Sequence, residues 1–204
     1  VTSNSSALVV NEAIIISSQP VASQTICSGT NANFSVTATG TGITYQWKKG
    51  TTNLVNGGNV SGANSQNLVL TGVSATDAGS YNVVVSGASP CVAITSSNAI
   101  LVVNQTVAIS TQPLVTQTVC TGNFVSFSVT ATGTGLTYQW RKGGINLTNG
   151  GTISGATTAI LTINPVVSAD TASDYNVVIT GTTPCNTVTS NSSALVVNEA
   201  IIIS

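Results

Sequence analysis

The chain repeats itself, and this feature constrains its fold more than any other. Residues 1–17 read VTSNSSALVVNEAIIIS, and the same seventeen letters return at residues 188–204. The repeat period is therefore 187 residues (188 minus 1). Identical copies at a fixed period are typical of tandem repeat proteins. We therefore expect the 204 residues to be one repeat unit plus an overlap, taken from a longer array.

A shorter repeat lies inside the long one. The stretch SVTATGTGITYQWKKG at residues 35–50 returns as SVTATGTGLTYQWRKG at residues 128–143. Matching positions differ by 93 for Cys27/Cys120 and Trp47/Trp140, and by 94 for Tyr81/Tyr175 and Cys91/Cys185. The two offsets sum to 187, so the long repeat is two related domains, each of about a hundred residues. We predict the last strand of a preceding domain at 1–11, two domains at 12–104 and 105–198, and the first strand of a following domain at 199–204.

Apolar and polar residues alternate along most of each domain. Phe34, Val36 and Ala38 alternate with Ser and Thr, and Tyr45 and Trp47 do the same with their polar neighbours. A period of two puts the apolar side chains on one face of a β-strand, and glycine-rich turns separate the segments as in an all-β sandwich. The first domain is predicted to have strands, copied in the second domain, at Glu12–Ser18, Ser23–Ile26, Asn33–Thr39, Ile43–Lys48, Gln66–Gly72, Ser80–Val85 and Ile94–Val103.

Charged residues make up only 4% of the chain, and this low share argues against several classes of function. The net charge of −1 provides no basic surface for the phosphates of nucleic acid. The apolar runs are far shorter than the roughly 20 residues of a membrane span. The sequence has no His, which is the residue that most acid–base catalysts and many metal sites use. We therefore predict no enzyme, no cofactor, no metal site and no membrane span.

Two groups of charged residues are left as candidates for chemistry. Asp170 and Asp174 are the carboxylates nearest in sequence, and we interpret them as turn-capping or solvated rather than as an acid–base pair. Lys48-Lys49 and Arg141-Lys142 end equivalent predicted strands. We interpret these bases as edge-strand charges that oppose sheet-to-sheet aggregation. The alternative is a repeated contact point for acidic glycans.

The residues around the tryptophan and the tyrosine resemble an immunoglobulin-like domain of the intermediate type. Trp47 lies eleven residues after Val36, where that family places its strand-C tryptophan after a strand-B cysteine. The run Asp77-x-Gly79-x-Tyr81 resembles the family's tyrosine corner. The resemblance implies tandem immunoglobulin-like β-sandwich domains in a head-to-tail array, with a structural core at Trp47, Tyr81, Trp140 and Tyr175.

This sequence departs from the family where the core disulfide is expected. Both family cysteines are valines here, at Val36/Val83 in the first domain and Val129/Val177 in the second. The resemblance therefore implies two sheets held together by apolar packing around the tryptophan. In the second domain the corner also lacks its glycine and has one more residue, as Asp170-Thr-Ala-Ser-Asp-Tyr175.

Several short sequence segments of the chain are similar to one group of immunoglobulin-like repeats. The segments QTxCxG, TYQWxKG and DAGSYNVVVSG are similar to repeats of very large surface proteins in Bacteroidota. There such repeats form stalks of adhesins and gliding-associated filaments exported by the type IX secretion system. The resemblance implies an extracellular location at the cell surface.

The four cysteines Cys27, Cys91, Cys120 and Cys185 are predicted to form disulfides, because the chain has no CxxC and no His for a metal. One alternative pairs them within each domain, as Cys27–Cys91 and Cys120–Cys185. In an immunoglobulin-like topology, however, the two lie at opposite ends, roughly 20 Å apart, whereas a disulfide needs Cα atoms about 4.4–6.8 Å apart. The other alternative pairs Cys27 with Cys185 between domains, and bonds Cys91 and Cys120 to neighbours outside these residues. Both alternatives stay open at this point.

Two hypotheses for function follow from the sequence. In the first, the domains are structural repeats of a long secreted filament or adhesin stalk, with neighbouring identical repeats as partners. In the second, loops 57–66 and 150–158 bind a ligand, because their Gly, Asn and Ser content suits hydrogen bonding. Other filament chains or surface glycans are further candidate partners.

Overall fold

A computed structural model of the chain describes residues 8–199. The chain divides into two compact units between Val103 and Asn104. Residues 8–14 have no regular secondary structure. Most of the strand predicted at 1–11 and of the strand predicted at 199–204 lies outside the described residues, so the predicted domain boundaries stay predictions.

The first unit is built from short β-strands. They are β1 (Ile15–Ser18), β2 (Ser23–Cys27), β3 (Ala32–Ser35), β4 (Thr37–Thr39), β5 (Thr44–Lys49), β6 (Thr52–Asn53), β7 (Val60–Ser61), β8 (Asn67–Leu70), β9 (Gly79–Ser86), β10 (Ile94–Thr95) and β11 (Ala99–Asn104). A single 3-10 turn, Ala75–Asp77, precedes β9. The predicted strands are present with shifted bounds. The strand predicted at Ser80–Val85 is longer, whereas the one predicted at Gln66–Gly72 is shorter.

The second unit repeats the same order of elements. Its strands are β12 (Ala108–Thr111), β13 (Thr116–Cys120), β14 (Val125–Ser128), β15 (Thr130–Thr132), β16 (Thr137–Lys142), β17 (Ile145–Asn146), β18 (Ile153–Ser154), β19 (Ile160–Ile163), β20 (Ala172–Thr180), β21 (Thr187–Thr189) and β22 (Ser193–Asn198). Its 3-10 turn spans Ser168–Asp170. Over residues 8–199 the regular structure consists of strands and these two turns, so the all-β prediction is confirmed.

Each unit has two layers of sheet. In the first unit one layer has the order β2-β11-β9-β5-β6, with β10 beside β9, and the other is made of the β3-β8-β7 and β1-β4 pairings. In the second unit the corresponding orders are β13-β22-β20-β16-β17, with β21 beside β20, and β14-β19-β18 with β12-β15. The β13 strand runs parallel to β22, from Thr116 opposite Ala194 to Cys120 opposite Asn198. This parallel pairing brings the ends of β13 and β22 together.

Two predicted strands are each divided in the structure. The strand predicted at Asn33–Thr39 becomes β3 and β4, because β3 pairs with β8 whereas β4 pairs with β1. The strand predicted at Ile94–Val103 is interrupted at Ser96. There the Val83 N–H donates to the Ser96 hydroxyl at 3.0 Å, while the Ser96 N–H donates to the Val83 carbonyl at 2.9 Å. The serine side chain thus takes the place of one backbone partner.

The core of each unit surrounds one buried tryptophan. Trp47 and Trp140 are both 0% exposed. Phe34 stacks on Tyr81 with ring centroids 4.9 Å apart, and the equivalent pair in the second unit, Phe127 and Tyr175, is 4.8 Å apart. Offset aromatic pairs of this kind add to the free energy gained from apolar burial.

Valines occupy the positions of the family's core cysteines. Val36 and Val83 are buried beside Trp47 in the first unit, and Val129 and Val177 are buried in the second. Apolar packing therefore joins the two sheets of each unit, since alternate residues of the facing strands point inward.

Candidate functional sites: cysteines, tyrosine corners and loops

One cysteine of each unit lies where the chain enters that unit. Cys91 follows β9, and its Sγ is 3.5 Å from the carbonyl oxygen of Glu12. Next to it, the Asn11 side-chain amide donates to the Ser89 carbonyl at 2.9 Å. The chain enters the first unit through these residues, just before β1.

The second unit repeats this arrangement. The Cys185 Sγ lies 3.8 Å from the carbonyl oxygen of Asn104, and the Asn104 side-chain amide donates to the Thr183 carbonyl at 3.3 Å. Sequence reasoning did not select the two asparagines, Asn11 and Asn104. Their recurrence at the offset of 93 residues was the signal that could have found them.

The other cysteine of each unit lies where the chain leaves that unit. Cys27 ends β2, which is next to β11, and Cys120 ends β13 opposite Asn198 at the end of β22. In the second unit, Cys120 and Cys185 lie beyond opposite ends of β20. A nine-residue strand at about 3.3 Å per residue separates them by roughly 26 Å, too far for a disulfide.

The four cysteines differ in their redox state. Cys27 and Cys185 are each disulfide-bonded, whereas Cys91 and Cys120 carry free thiols. Neither pairing within a domain is formed, because Cys27–Cys91 and Cys120–Cys185 would each require one of the free thiols.

Both units have a tyrosine corner, in which a buried tyrosine donates its hydroxyl proton to a backbone carbonyl a few residues upstream. The Tyr81 hydroxyl donates to the Asp77 carbonyl at 2.6 Å, and the Tyr175 hydroxyl donates to the Asp170 carbonyl at 2.7 Å. Burial, together with the negative charge of Asp77, raises the pKa of Tyr81 to about 12. Burial and the charges of Asp170 and Asp174 raise the pKa of Tyr175 well above its usual value.

The aspartates of the corners cap the turns before β9 and β20. The Asp77 carboxylate accepts the Ser74 N–H at 2.8 Å, and the Asp170 carboxylate accepts the Val167 N–H at the same distance. Burial acts to raise the pKa of Asp77, but hydrogen bonds from Ser74 and Asn59 and the charge of Lys49 outweigh it and lower that pKa. Asp170 therefore has the turn-capping role predicted for it.

The second residue of each basic pair is a lysine that hydrogen-bonds to the turn of its tyrosine corner. The Lys49 ammonium donates to the Thr76 carbonyl and lies 6.0 Å from the centre of the Tyr81 ring. The Lys142 ammonium donates to the Ala169 carbonyl at 2.6 Å and lies 5.7 Å from the Tyr175 ring. Such positions favour a cation–π contribution.

The interpretation of the basic pairs as edge-strand charges is wrong. The β5 strand lies between β9 and β6, and β16 lies between β20 and β17, so neither is an edge strand. Sequence reasoning missed this because β6 and β17 are only two residues long and have no apolar alternation of their own.

The loops predicted as binding sites are braced by their own hydrogen bonds. In the first unit, the Asn56 side-chain oxygen accepts the Ala63 N–H at 2.8 Å, and the Gly57 and Val60 backbones bond to each other at 2.9 and 3.0 Å. The indole N–H of Trp47 donates to the Ser65 carbonyl at 2.9 Å, which fixes the loop to the core. The same contacts recur in the second unit through Asn149 and Trp140.

At several positions the Gly, Asn and Ser residues of these loops thus stabilise the conformation of the loop itself. Gly62 shows why one glycine is required. Its φ is +75°, and a Cβ there would lie 2.0 Å from the Asn67 carbonyl oxygen. The use of these loops as ligand sites stays a prediction.

Residues 8–199 bring together no group of three or more side chains that could ligate a metal ion, and they line no pocket. In that part of the chain there is also no helix with the length and apolar character needed to cross a membrane.

Comparison with known proteins agrees with the architecture described above. A family model described as a domain of unknown function, DUF8696, matches residues 17–105, which is less than half of the chain. The chain matches no curated protein sequence. The I-band fragment of titin is similar in structure, with a TM-score of 0.69 and 20% identity over 91% of this chain and 66% of the fragment.

Two further solved structures have the same fold. The extracellular domains 3–5 of Drosophila OTK give a TM-score of 0.69 at 20% identity, over 91% of this chain and 62% of that one. The four N-terminal immunoglobulin domains of Dscam1 isoform 6.9 give 0.64 at 18% identity, over 95% and 48%. The chain consists of tandem immunoglobulin-like β-sandwich domains. It spans less than two thirds of each of these structures, and at this level of identity the likeness establishes the fold alone.

Proposed function

We propose that these immunoglobulin-like domains are a structural stretch of a long secreted surface filament or adhesin stalk, whose work is mechanical reach. The observation that carries the proposal is the placement of the cysteines. Each unit has one cysteine where the chain enters and one where it leaves, so each joint of a continuous chain can have a cysteine from both sides. A ligand-binding module has no need of such an arrangement.

The joint between the two units would be closed by a disulfide between Cys27 and Cys185. Cys27 ends β2 at the exit of the first unit, and Cys185 lies beside Asn104 at the entrance of the second. Both cysteines are in the bonded state, which supports the pairing. A cross-link between residues far apart in sequence restricts the unfolded chain and, at a joint, would also limit bending.

The peptide linking the units is short. Three residues, 105–107, separate β11 from β12. One of them, Val107, is buried in the core of the second unit. A linker of this kind is unlike the flexible Gly/Ser tethers that allow domains to move freely. It supports a stiff connection.

The setting of the proposed stalk follows from the chemistry of the cysteines and from the sequence resemblance. Disulfides persist in oxidising compartments, which supports an extracellular location. The resemblance to repeats of large Bacteroidota surface proteins supports a stalk exported by type IX secretion. Neighbouring identical repeats of the same chain are the proposed partners.

Trypsin can test the proposed pairing, because the only basic residues are Lys48, Lys49, Arg141 and Lys142. Cleavage of the denatured, alkylated and unreduced chain should give a first piece with Cys27, a middle piece with Cys91 and Cys120, and a last piece with Cys185. We expect mass spectrometry to find the first and last pieces joined and the middle piece alkylated twice. A bond between the first and middle pieces would contradict the proposal.

Small-angle X-ray scattering can test the stiffness. Cys27→Ser/Cys185→Ser should broaden the distribution of interatomic distances, since the joint would lose its cross-link. The matched control is Cys91→Ser/Cys120→Ser, which removes two cysteines but keeps the proposed disulfide, and should scatter as the unchanged protein does. Equal distributions for both variants would show that the joint does not depend on the disulfide.

A further inference from the structure

We propose that the free thiols of Cys91 and Cys120 are a matched pair of coupling sites, in which Cys120 of one copy of this repeat forms a disulfide with Cys91 of the next copy. The proposal rests on the stalk function and names the partner of each end. The partner is a second copy of the chain, joined in series.

Each free thiol lies at the position in its unit that corresponds to a bonded cysteine of the other unit. Cys91 lies 3.5 Å from the Glu12 carbonyl oxygen, as bonded Cys185 lies 3.8 Å from that of Asn104. Cys120 ends β13, as bonded Cys27 ends β2. Since Cys27 and Cys185 are the cysteines proposed above to close one joint, Cys91 and Cys120 have the matching positions for the next joint.

Exposure is also consistent with this role. Cys120 is exposed and Cys91 is partly exposed, whereas bonded Cys27 is buried. Both thiols are therefore accessible enough to attack a disulfide in solution. Oxidised glutathione would serve as the oxidant. The Cys120 thiolate attacks it and releases one reduced glutathione, and the Cys91 thiolate then displaces the second, so two thiols become one disulfide.

The identical segments 1–17 and 188–204 define how two copies can be joined. In a tandem duplicate, residues 188–204 of the first copy serve as residues 1–17 of the second, so the joint needs no residue foreign to this sequence. The duplicate has eight cysteines, twice the four of the chain. We expect three disulfides after oxidation in glutathione buffer, which leaves two free thiols, Cys91 of the first copy and Cys120 of the second.

The test is a count of thiols by alkylation and mass spectrometry. Two free thiols in the duplicate, with a peptide that joins Cys120 of the first copy to Cys91 of the second, is the expected result. Four free thiols would overturn the proposal while leaving the Cys27–Cys185 disulfide in place. Six or more would contradict the stalk proposal itself, because the pairing within each copy would then have failed.

A single substitution sharpens the count. Cys120→Ser in the first copy alone removes one cysteine, yet the number of free thiols should rise from two to three, because Cys91 of the second copy loses its partner. The matched control, Cys120→Ser in the second copy alone, should lower the number from two to one. A fall in both variants would overturn the assignment of the partner.

Discussion

The two tyrosine corners reach the same contact by different backbones. In the first unit, Asp77 and Tyr81 are separated by three residues, and in the second unit Asp170 and Tyr175 are separated by four. The hydroxyl-to-carbonyl distances are nevertheless 2.6 and 2.7 Å. The hydrogen bond is thus kept while the chain between its ends changes in length.

The strands that follow the corners show how the extra residue is accommodated. In the first unit, Gly79 pairs with Leu101 and Tyr81 with Ala99. In the second unit, Ala172 pairs with Leu195 and Tyr175 with Ser193, with a register shift between them. One more residue on one strand of an antiparallel pair is a β-bulge. The bulge absorbs the insertion before it can reach the buried ring.

The glycine of the first corner has a different task. Gly79 has a φ of +149°, which L-residues rarely adopt. In the described residues no residue other than glycine has a positive φ, so Ala172 has an ordinary backbone. A glycine in one domain and a bulge in the other are therefore two solutions to the same turn.

The largest expected effect comes from removing either tryptophan, where the two units are alike. Trp47→Ala and Trp140→Ala should each destabilise their own unit by about 3–5 kcal/mol, because each leaves a large cavity in the core. Hydrogen exchange of peptides from each unit, measured in increasing urea, would report the two free energies separately. Clearly unequal losses would show that the cores are less equivalent than their contacts indicate.

Substitution at the first position of β9 should destabilise the first unit more than the matching substitution destabilises the second. Gly79→Ala should destabilise the first unit by about 1–3 kcal/mol, since alanine is strained at this φ. The new Cβ would lie 3.0 Å from the Lys49 side chain, whose flexible end can move aside. The matched control, Ala172→Gly, should cost the second unit only about 0.5–1 kcal/mol, through lost backbone restriction. The same exchange measurement applies, and equal costs would contradict the two-solution interpretation.

Removing the tyrosine hydroxyl tests whether the hydrogen bonds of the two corners contribute equally to the stability of their units. Tyr81→Phe and Tyr175→Phe should each lower the free energy of unfolding of their unit by about 1–2 kcal/mol, because a carbonyl loses its partner. Chemical denaturation with the exchange readout would measure this loss. If Tyr175→Phe were neutral, the bulged corner would not depend on its hydrogen bond.

The same tyrosine hydroxyls should make the stability of the fold sensitive to high pH. Burial first, and then the charge of Asp77, raise the pKa of Tyr81 from 10.0 to about 12 in the folded protein. A raised folded pKa gives stability that is fully present below the unfolded pKa near 10 and is lost as the pH rises through about 12. We expect tyrosinate absorbance to show a late step to which Tyr81 and Tyr175 both contribute, and Tyr81→Phe should reduce the amplitude of that step. A titration unchanged by that variant would contradict the assignment.

The smallest effect is expected at the residue before each 3-10 turn. The Ser74 hydroxyl lies 3.1 Å from the Asp77 carboxylate, whereas the second unit has Val167 at this place. Ser74→Val should cost about 0.5 kcal/mol and Val167→Ser should gain a similar amount, since the backbone bond to the aspartate remains in both. Thermal unfolding of the two variants should shift in opposite directions. Shifts of the same sign would show that the hydroxyl has no capping role.

Much of the fold was predictable from alternation in the sequence. Phe34, Val36 and Trp47 are buried in the core, as a period of two indicates for one face of a strand. The tyrosine corners could be predicted from their resemblance to a family. The edges of the sheets could not, because β6 and β7 have two residues each and no periodic pattern.

The roles of several polar residues also needed the structure. The Lys49 ammonium donates to the carbonyl of Thr76, which is distant in sequence. The Asn56 side-chain oxygen accepts the N–H of Ala63 across a loop. No local sequence pattern predicts these hydrogen-bond partners. Repetition was the available signal, because Lys142 and Asn149 make the same contacts one domain later.

The sequence by itself determined the number of domains, their strands and the composition of their cores, because hydrophobic periodicity and repetition are properties of the linear chain. It also supplied the four cysteines at matching positions. Only the tertiary structure decided where those cysteines lie. The parallel pairing of β13 with β22 carries Cys120 to Asn198, and the turn after β9 carries Cys91 to Glu12. A disulfide depends on a distance of a few ångströms between residues remote in sequence, and that distance exists only once the sheets have formed.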